Sequence, residues 1–382
     1  AQAVFYVRST RATCLAISMA RLTLLTILEL ACTSVEPTWA SSNQVYGIDV
    51  EPLERALMTP LLDVDIVTES FAIRPTSHEL AGESWERCQA GVVLVDYHKT
   101  GHDFANEAIS ILAELTEFTG VHKLPESDTF VVLGEVNYTF GKSFSSMFSD
   151  EIALPSGKLA HVHGPSIEWP APAGACVVHF VRDPVDLIVS GYRYHAQQPE
   201  APEDWQSETS TCHQCDQTAH AELFKACGYV CNYSELLAGI GPELGVVAEA
   251  LLERQSIRNM LGNILRWTNS SRALHLSVEH LRKNFNGTIR CLLRFLGVDD
   301  VDGLLLARFG SLNSAERGQG DKHVTWWRHD NVDLKTFLER QPIWGLEFAS
   351  ARALISAIFD RQSGSYGCSP PQFLRGTEPA EL

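Results

Sequence analysis

Apolar residues along this chain gather in short unbroken runs, separated by longer stretches in which they recur every three or four positions. Gly91-Val92-Val93-Leu94-Val95 is a continuous, largely β-branched run, the pattern of a strand buried on both faces. Phe130-Val131-Val132-Leu133, Leu159 to Val162 and Ala175 to Val181 repeat it, and Ala273 to Val278 forms a further strand. Between the runs, Phe104, Ala108, Ile111, Leu112 and Leu115 predict a helix over 104–118. A second helix is predicted from Asp183 to His195, with Pro184 in its first turn, where proline is tolerated. Pro242 to Trp267 reads as a long helix, Glu279 to Leu296 as one or two helices ended by Gly297, and 334–338 and 349–359 as helical. Strands alternating with helices predict an α/β fold with a mostly parallel central sheet flanked by helices.

The texture changes at the flanks and at one interior point. Residues 41–90 are polar and mixed, with Pro52, Pro60 and Pro75, and read as an N-terminal extension with short helices. The main domain spans 91–365 and is interrupted at 196–233 by a Pro-, Gln-, Thr- and Cys-bearing insert; 366–382 has the composition of a frayed tail. Within 1–40, Met19-Ala20-Arg21, the apolar run Leu22 to Leu28 and Ala40-Ser41 read as a secretory signal peptide or a signal-anchor, so a membrane anchor at the N-terminus is among the expectations.

Composition narrows the function classes. The chain has 382 residues, 45% apolar and 20% charged, enough to bury a real core. A net charge of -17 argues against general nucleic-acid binding, because backbone phosphates would be repelled. Any anionic ligand must therefore be held by a local cluster of cations and N–H donors. Of ten cysteines, Cys212, Cys215, Cys227 and Cys231 cluster in the insert. In an oxidising lumen they would form two disulfides; in a reducing one the same spacing would suit zinc. Four sequons, at Asn137, Asn232, Asn269 and Asn286, matter only in a lumenal chain. Together with the signal-like start they place the chain in the secretory pathway.

Two segments carry the candidate chemistry. In Val95-Asp96-Tyr97-His98-Lys99-Thr100-Gly101-His102-Asp103 a buried strand runs through a short loop into a helix. Such a loop aims backbone N–H groups and a helix N-terminus at one point, where an anion can sit. Gly101 lets the backbone approach, and Lys99 adds a mobile charge. Neither a Walker A loop nor a dinucleotide fingerprint is present. In Val181-Arg182-Asp183-Pro184-Val185-Asp186, continuing to Ser190, a second strand runs into a second helix. Arg182 stands at the carboxyl end of its strand, where ligands bind in open α/β sheets, and its planar fork suits a phosphate.

The pair resembles the sulfotransferase family, whose P-loop-like fold binds the donor 3'-phosphoadenosine 5'-phosphosulfate (PAPS). Lys99, Thr100 and Gly101 match that family's 5'-phosphosulfate loop, P-K-[ST]-G-T-[ST]; His98 replaces its proline, and His102 and Asp103 replace its hydroxyl residues. Arg182, Asp183, Pro184, Asp186 and Ser190 match R-[DN]-P-x-D-x-x-x-S, the segment that holds the 3'-phosphate. Leu274 to Leu281 with Arg290 to Val298 is similar to the strand ending Y-E-D-L and the helix ending F-L-G-V, with Val278 in place of tyrosine. Arg317-Gly318-Gln319-Gly320-Asp321 is similar to the late loop that closes over the nucleotide. The resemblance spans roughly residues 90–330.

What it implies is sulfuryl transfer from PAPS to an acceptor hydroxyl of a glycan, protein or small molecule in the Golgi lumen, without a metal. The resemblance assigns PAPS binding to Lys99, Thr100, Gly101, His102, Arg182, Ser190, Arg317 and Gly318. Lys99 would stabilise the leaving oxygen. His163, in Ala160-His161-Val162-His163-Gly164-Pro165, would be the base, with His161 and Glu168 as alternatives. Two other readings remain open: a catalytically silent nucleotide-binding or interaction module, and a P-loop kinase, against which the missing Walker patterns weigh.

Overall fold

A computed structural model of the chain describes residues 51–62, 88, 91–115, 119–120, 158–165, 167, 174–196, 233–268, 270–298, 303–313 and 331–366. Its strands are β1 (Val92–Asp96), β2 (Thr119–Gly120), β3 (Lys158–His163), β4 (Cys176–Val181) and β5 (Ala273–Ser277). Its helices are α1 (Glu51–Leu57), α2 (His102–Leu115), α3 (Pro184–Ala196), α4 (Tyr233–Ile240), α5 (Pro242–Trp267), α6 (Val278–Lys283), α7 (Phe285–Leu296), α8 (Leu304–Gly310), α9 (Asn331–Glu339) and α10 (Pro342–Tyr366).

The strands form one sheet in the order β2-β3-β1-β4-β5, and every described pairing is parallel. β1 and β4 are adjacent, with Val92 opposite Cys176 and Val95 opposite His179. Both strands therefore deliver their C-terminal loops to the same edge of the sheet. Alternate residues point to opposite faces, and each face has its own core. Val93, Val95, Val177, Val181 and Ala273 pack under α3, α4, α5 and α10. Val92, Leu94, Val178, Phe180, Leu274 and Leu276 pack under α2, α7 and α8. The result is a three-layer α/β/α fold.

Local chemistry accounts for several boundaries. α6 starts where Ser277 Oγ accepts the N–H groups of Glu279 and His280. Asn284 caps α7 by accepting from Gly287, and Gly297, at φ 68°, ends that helix in the left-handed conformation. The predicted helices at 104–118, 334–338 and 349–359 are observed as His102–Leu115, Asn331–Glu339 and Pro342–Tyr366. The stretch 279–296 divides into α6 and α7, which meet at Asn284. The predicted strand at 130–133 lies outside the described residues, as do the signal-like segment, most of 41–90, the cysteine cluster of the insert and the tail.

Disulfide bonding at three cysteines was not anticipated. Cys88, ahead of β1, is disulfide-bonded to Cys176, the first residue of β4, with 5.0 Å between their Cα atoms. Cys291, buried in α7, is disulfide-bonded as well.

Candidate functional site

The loop after β1 is a tight turn locked from within. Thr100 Oγ1 accepts the N–H of Tyr97 at 2.6 Å and donates to the Tyr97 carbonyl at 2.9 Å. Thr100 is fully buried, so its hydroxyl holds the turn. Lys99 at φ 58° and Gly101 at φ 108° both take left-handed backbone, which glycine adopts without strain and lysine does not. Tyr97 is anchored below by Asn263, whose amide donates to the phenol oxygen at 2.7 Å.

The loop after β4 meets it. Arg182 Nη1 donates to the Lys99 carbonyl at 2.8 Å, and its Nε lies 3.6 Å from Glu279 Oε1 at the start of α6. Asp183 caps α3 by accepting from Val185 at 2.8 Å and Asp186 at 3.3 Å, and Arg352 of α10 grips the same carboxylate. Asp186 pairs with Lys335 of α9. Glu279 is buried among these acids; burial above all, and the Asp186 charge, push its carboxyl up to about 7, against the pull of Arg182. Ser190 lies on α3 and is buried, 7% exposed. The Lys99 ammonium lies 3.3 Å from the centre of the Tyr194 ring, a cation–π contact on the same helix.

On the α2 side of the sheet a polar cluster surrounds Asp96, which ends β1. The parallel register sets Asp96 opposite His163 and Leu94 opposite His161, so both histidines share the face of the carboxylate, as strand periodicity predicts. His163 Nδ1 is 2.7 Å from Asp96 Oδ1, His102 Nδ1 is 3.1 Å from Oδ2, and His161 Nε2 is 3.2 Å from Oδ1. Burial alone would push the Asp96 carboxyl up; the three histidines outweigh it and hold the group well below the usual carboxylate range. Of the three, His102 and His163 are partly exposed while His161 is buried.

A second cluster lies on the other face. His98 pairs with Glu253 of α5 and stacks on His195, with ring centres 5.0 Å apart. His195 Nδ1 is 2.9 Å from Glu249 Oε1, and Tyr233 donates to Glu249 Oε2 at 2.9 Å. The loop 97–102 is thus tied on one side to α5 and on the other to Asp96.

Of the residues predicted for the site, Lys99, Thr100, Gly101, His102, His163 and Arg182 gather at the carboxyl ends of β1, β3 and β4, with Ser190 further along α3. Arg317, Gly318 and Glu168 lie outside the described residues. Sequence reading passed over Asp96, Asn106 and Glu253, and matched Glu279 to a motif without giving it a role. Asp96 left one signal, a lone carboxylate closing an otherwise apolar strand. His102 and Asn106 left another, the four-residue spacing that puts two polar groups on one helix face.

No family model and no curated protein matches the chain. Among solved structures, it is similar to mouse sulfotransferase SULT7A1 complexed with PAP, at 19% identity and a TM-score of 0.32, over 63% of this chain and 71% of that one. A likeness at that level says nothing of this chain's chemistry.

Proposed function

We propose that the chain is a PAPS-dependent sulfotransferase acting on an acceptor hydroxyl. The observation that carries this reading is the Arg182–Lys99 contact. It brings the two segments with donor-binding patterns together on adjacent parallel strands, at the edge where α/β sheets bind their ligands. The Lys99–Gly101 backbone would hold the 5'-phosphosulfate, and Arg182, with Glu279 beside it, would hold the 3'-phosphate. The Lys99 ammonium would swing from Tyr194 to the bridging oxygen.

In the transfer, the acceptor oxygen attacks sulfur as the bond from sulfur to the 5'-phosphate oxygen breaks, releasing 3'-phosphoadenosine 5'-phosphate (PAP). The acceptor proton passes to His163. Its Nδ1 is held by Asp96, so Nε2 is the nitrogen that receives the proton. Asp96 then plays the orienting part that a buried carboxylate plays beside a histidine base. The Cys88–Cys176 disulfide supports an oxidising compartment, in keeping with the secretory pathway and a carbohydrate-bearing acceptor.

The test has two stages. Calorimetry with PAP and PAPS reads binding; sulfur-labelled PAPS with glycans, tyrosine peptides and phenols reads transfer. No binding of either nucleotide rejects the whole reading. Binding without transfer to any acceptor leaves the silent nucleotide-binding module, which the cation–π position of Lys99 would also accommodate. Transfer that survives Lys99→Ala removes Lys99 from the mechanism.

A further inference from the structure

Four contacts close a ring around Asp96. Its Oδ2 meets His102 Nδ1 at 3.1 Å, His102 Nε2 meets the Asn106 amide nitrogen at 2.9 Å, the Asn106 amide oxygen meets His161 Nδ1 at 2.7 Å, and His161 Nε2 returns to Asp96 Oδ1 at 3.2 Å. A hydrogen bond at each contact needs one proton. The carboxylate supplies none, the amide supplies one, and each neutral imidazole supplies one. Three protons cannot serve four contacts, and turning the amide over does not change the count. One contact must bring two acceptors face to face, unless a cation fills it.

With the Asn106 oxygen toward His161, that contact is the one between His161 and Asp96. His161 donates from Nδ1 to Asn106, leaving a lone pair on Nε2, which lies 3.2 Å from a carboxylate oxygen. Nε2 belongs to a side chain only 1% exposed and makes no hydrogen bond. A proton added to His161 would supply the missing charge. Yet Nε2 and Oδ1, though only 3.2 Å apart, are not aligned for a hydrogen bond, which favours an ion seated between them. The spacing agrees. Ligand atoms of Asp96, His102 and His161 all lie within 4.8 Å of one another. The separation of His161 Nε2 from Asp96 Oδ1, 3.2 Å, approaches the ~3.3 Å edge of a tetrahedron with bonds of about 2.0 Å.

We infer that Asp96, His102 and His161 bind a divalent transition-metal ion of the zinc or iron(II) type. Two imidazoles and one carboxylate are a ligand set for such ions, and three protein ligands leave a position for water or an anionic oxygen. The ligands come from the end of β1, the first turn of α2 and β3, elements that hold them in place. The surrounding shell is present too. His163 donates to Asp96 at 2.7 Å, and the Asn106 oxygen takes the distal N–H of His161 at 2.7 Å. An ion at His102 Nδ1 would displace the proton that this nitrogen shares with Asp96 onto the other ring nitrogen. The site is defined by protein atoms alone, so it does not depend on sulfuryl transfer.

The experiment strips the full chain with a chelator and titrates it with Zn2+ by calorimetry and with Co2+ by visible absorption. The expected result is one equivalent of each, with cobalt bands of a low-coordinate nitrogen–oxygen site. His161→Gln should weaken binding by at least about tenfold, while His195→Gln, in the other histidine cluster, should leave it unchanged. His102→Ala gives a second reading should His161→Gln fail to fold by circular dichroism. Failure of the wild-type chain to bind either ion overturns the inference, as does binding that both ring variants retain.

Discussion

Arg182, at the end of β4, donates to the carbonyl of Lys99, 83 residues earlier in the chain, at 2.8 Å. One guanidinium edge is spent on fixing the neighbouring loop, and Nε faces Glu279. The same side chain therefore shapes the loop and supplies charge. Arg182→Met should remove both functions. A charged hydrogen bond is worth roughly 1.5–3 kcal/mol, so PAP affinity should fall about tenfold to a hundredfold. Arg182→Lys should recover only part of it, because a point charge cannot reproduce the fork. Calorimetry on the two variants checks this; equal affinity in wild type and Arg182→Met would remove Arg182 from the donor site.

Glu279 gives donor binding a pH dependence of known sign. Its carboxyl is pushed up to about 7, chiefly by burial. Below that pH it is mostly neutral and does not offset Arg182; above it, a negative charge stands beside the guanidinium. Wild-type PAP binding should therefore weaken between pH 6 and 8 relative to Glu279→Gln. Using the variant as reference cancels the ionisation of the nucleotide's own phosphate. Parallel binding curves for the two proteins would rule out this role.

Strand periodicity made much of this legible. The runs at 91–95, 159–162, 175–181 and 273–278 supply strands of one parallel sheet, and the loops that follow two of them meet. Asp96 was harder to see, because its meaning depends on β3 lying beside β1 at a register that sets it opposite His163. No local pattern announces a long-range register. Glu253 is silent for the same reason, and the role of Glu279 is too, since their partners arrive from distant segments. Cys88 and Cys176 are separated by 88 residues, and their pairing follows only from the crossing of the chain at the start of β4.

That disulfide should carry measurable stability. It ties the segment ahead of β1 to the neighbouring strand across the α2-side core. Removing a native disulfide from a small domain typically costs about 2–5 kcal/mol. The Cys88→Ala, Cys176→Ala double variant should unfold at lower urea, and reductant should lower the wild-type midpoint toward it. A wild-type midpoint indifferent to reductant would show that the link is not formed in solution.

Glu347 of α10 holds the 51–62 segment against the body of the fold, accepting the N–H of Leu61 at 2.8 Å and of Leu62 at 3.0 Å. Burial pushes its carboxyl from 4.5 up to about 7, against the pull of those two N–H groups. Between these values the folded chain keeps a proton that the unfolded chain has released. Stability from this group is therefore greatest below about pH 4.5 and is lost as pH rises toward 7, at no more than about 1.4 kcal/mol per pH unit. Glu347→Gln keeps one acceptor oxygen and has no charge to bury. It should be no more stable than wild type at pH 5 and should gain on it by pH 8, in urea unfolding at the two pH values. A stability difference between the two proteins that stays constant across that range would mean that Glu347 is already ionised in the fold, and that the paired N–H groups outweigh burial.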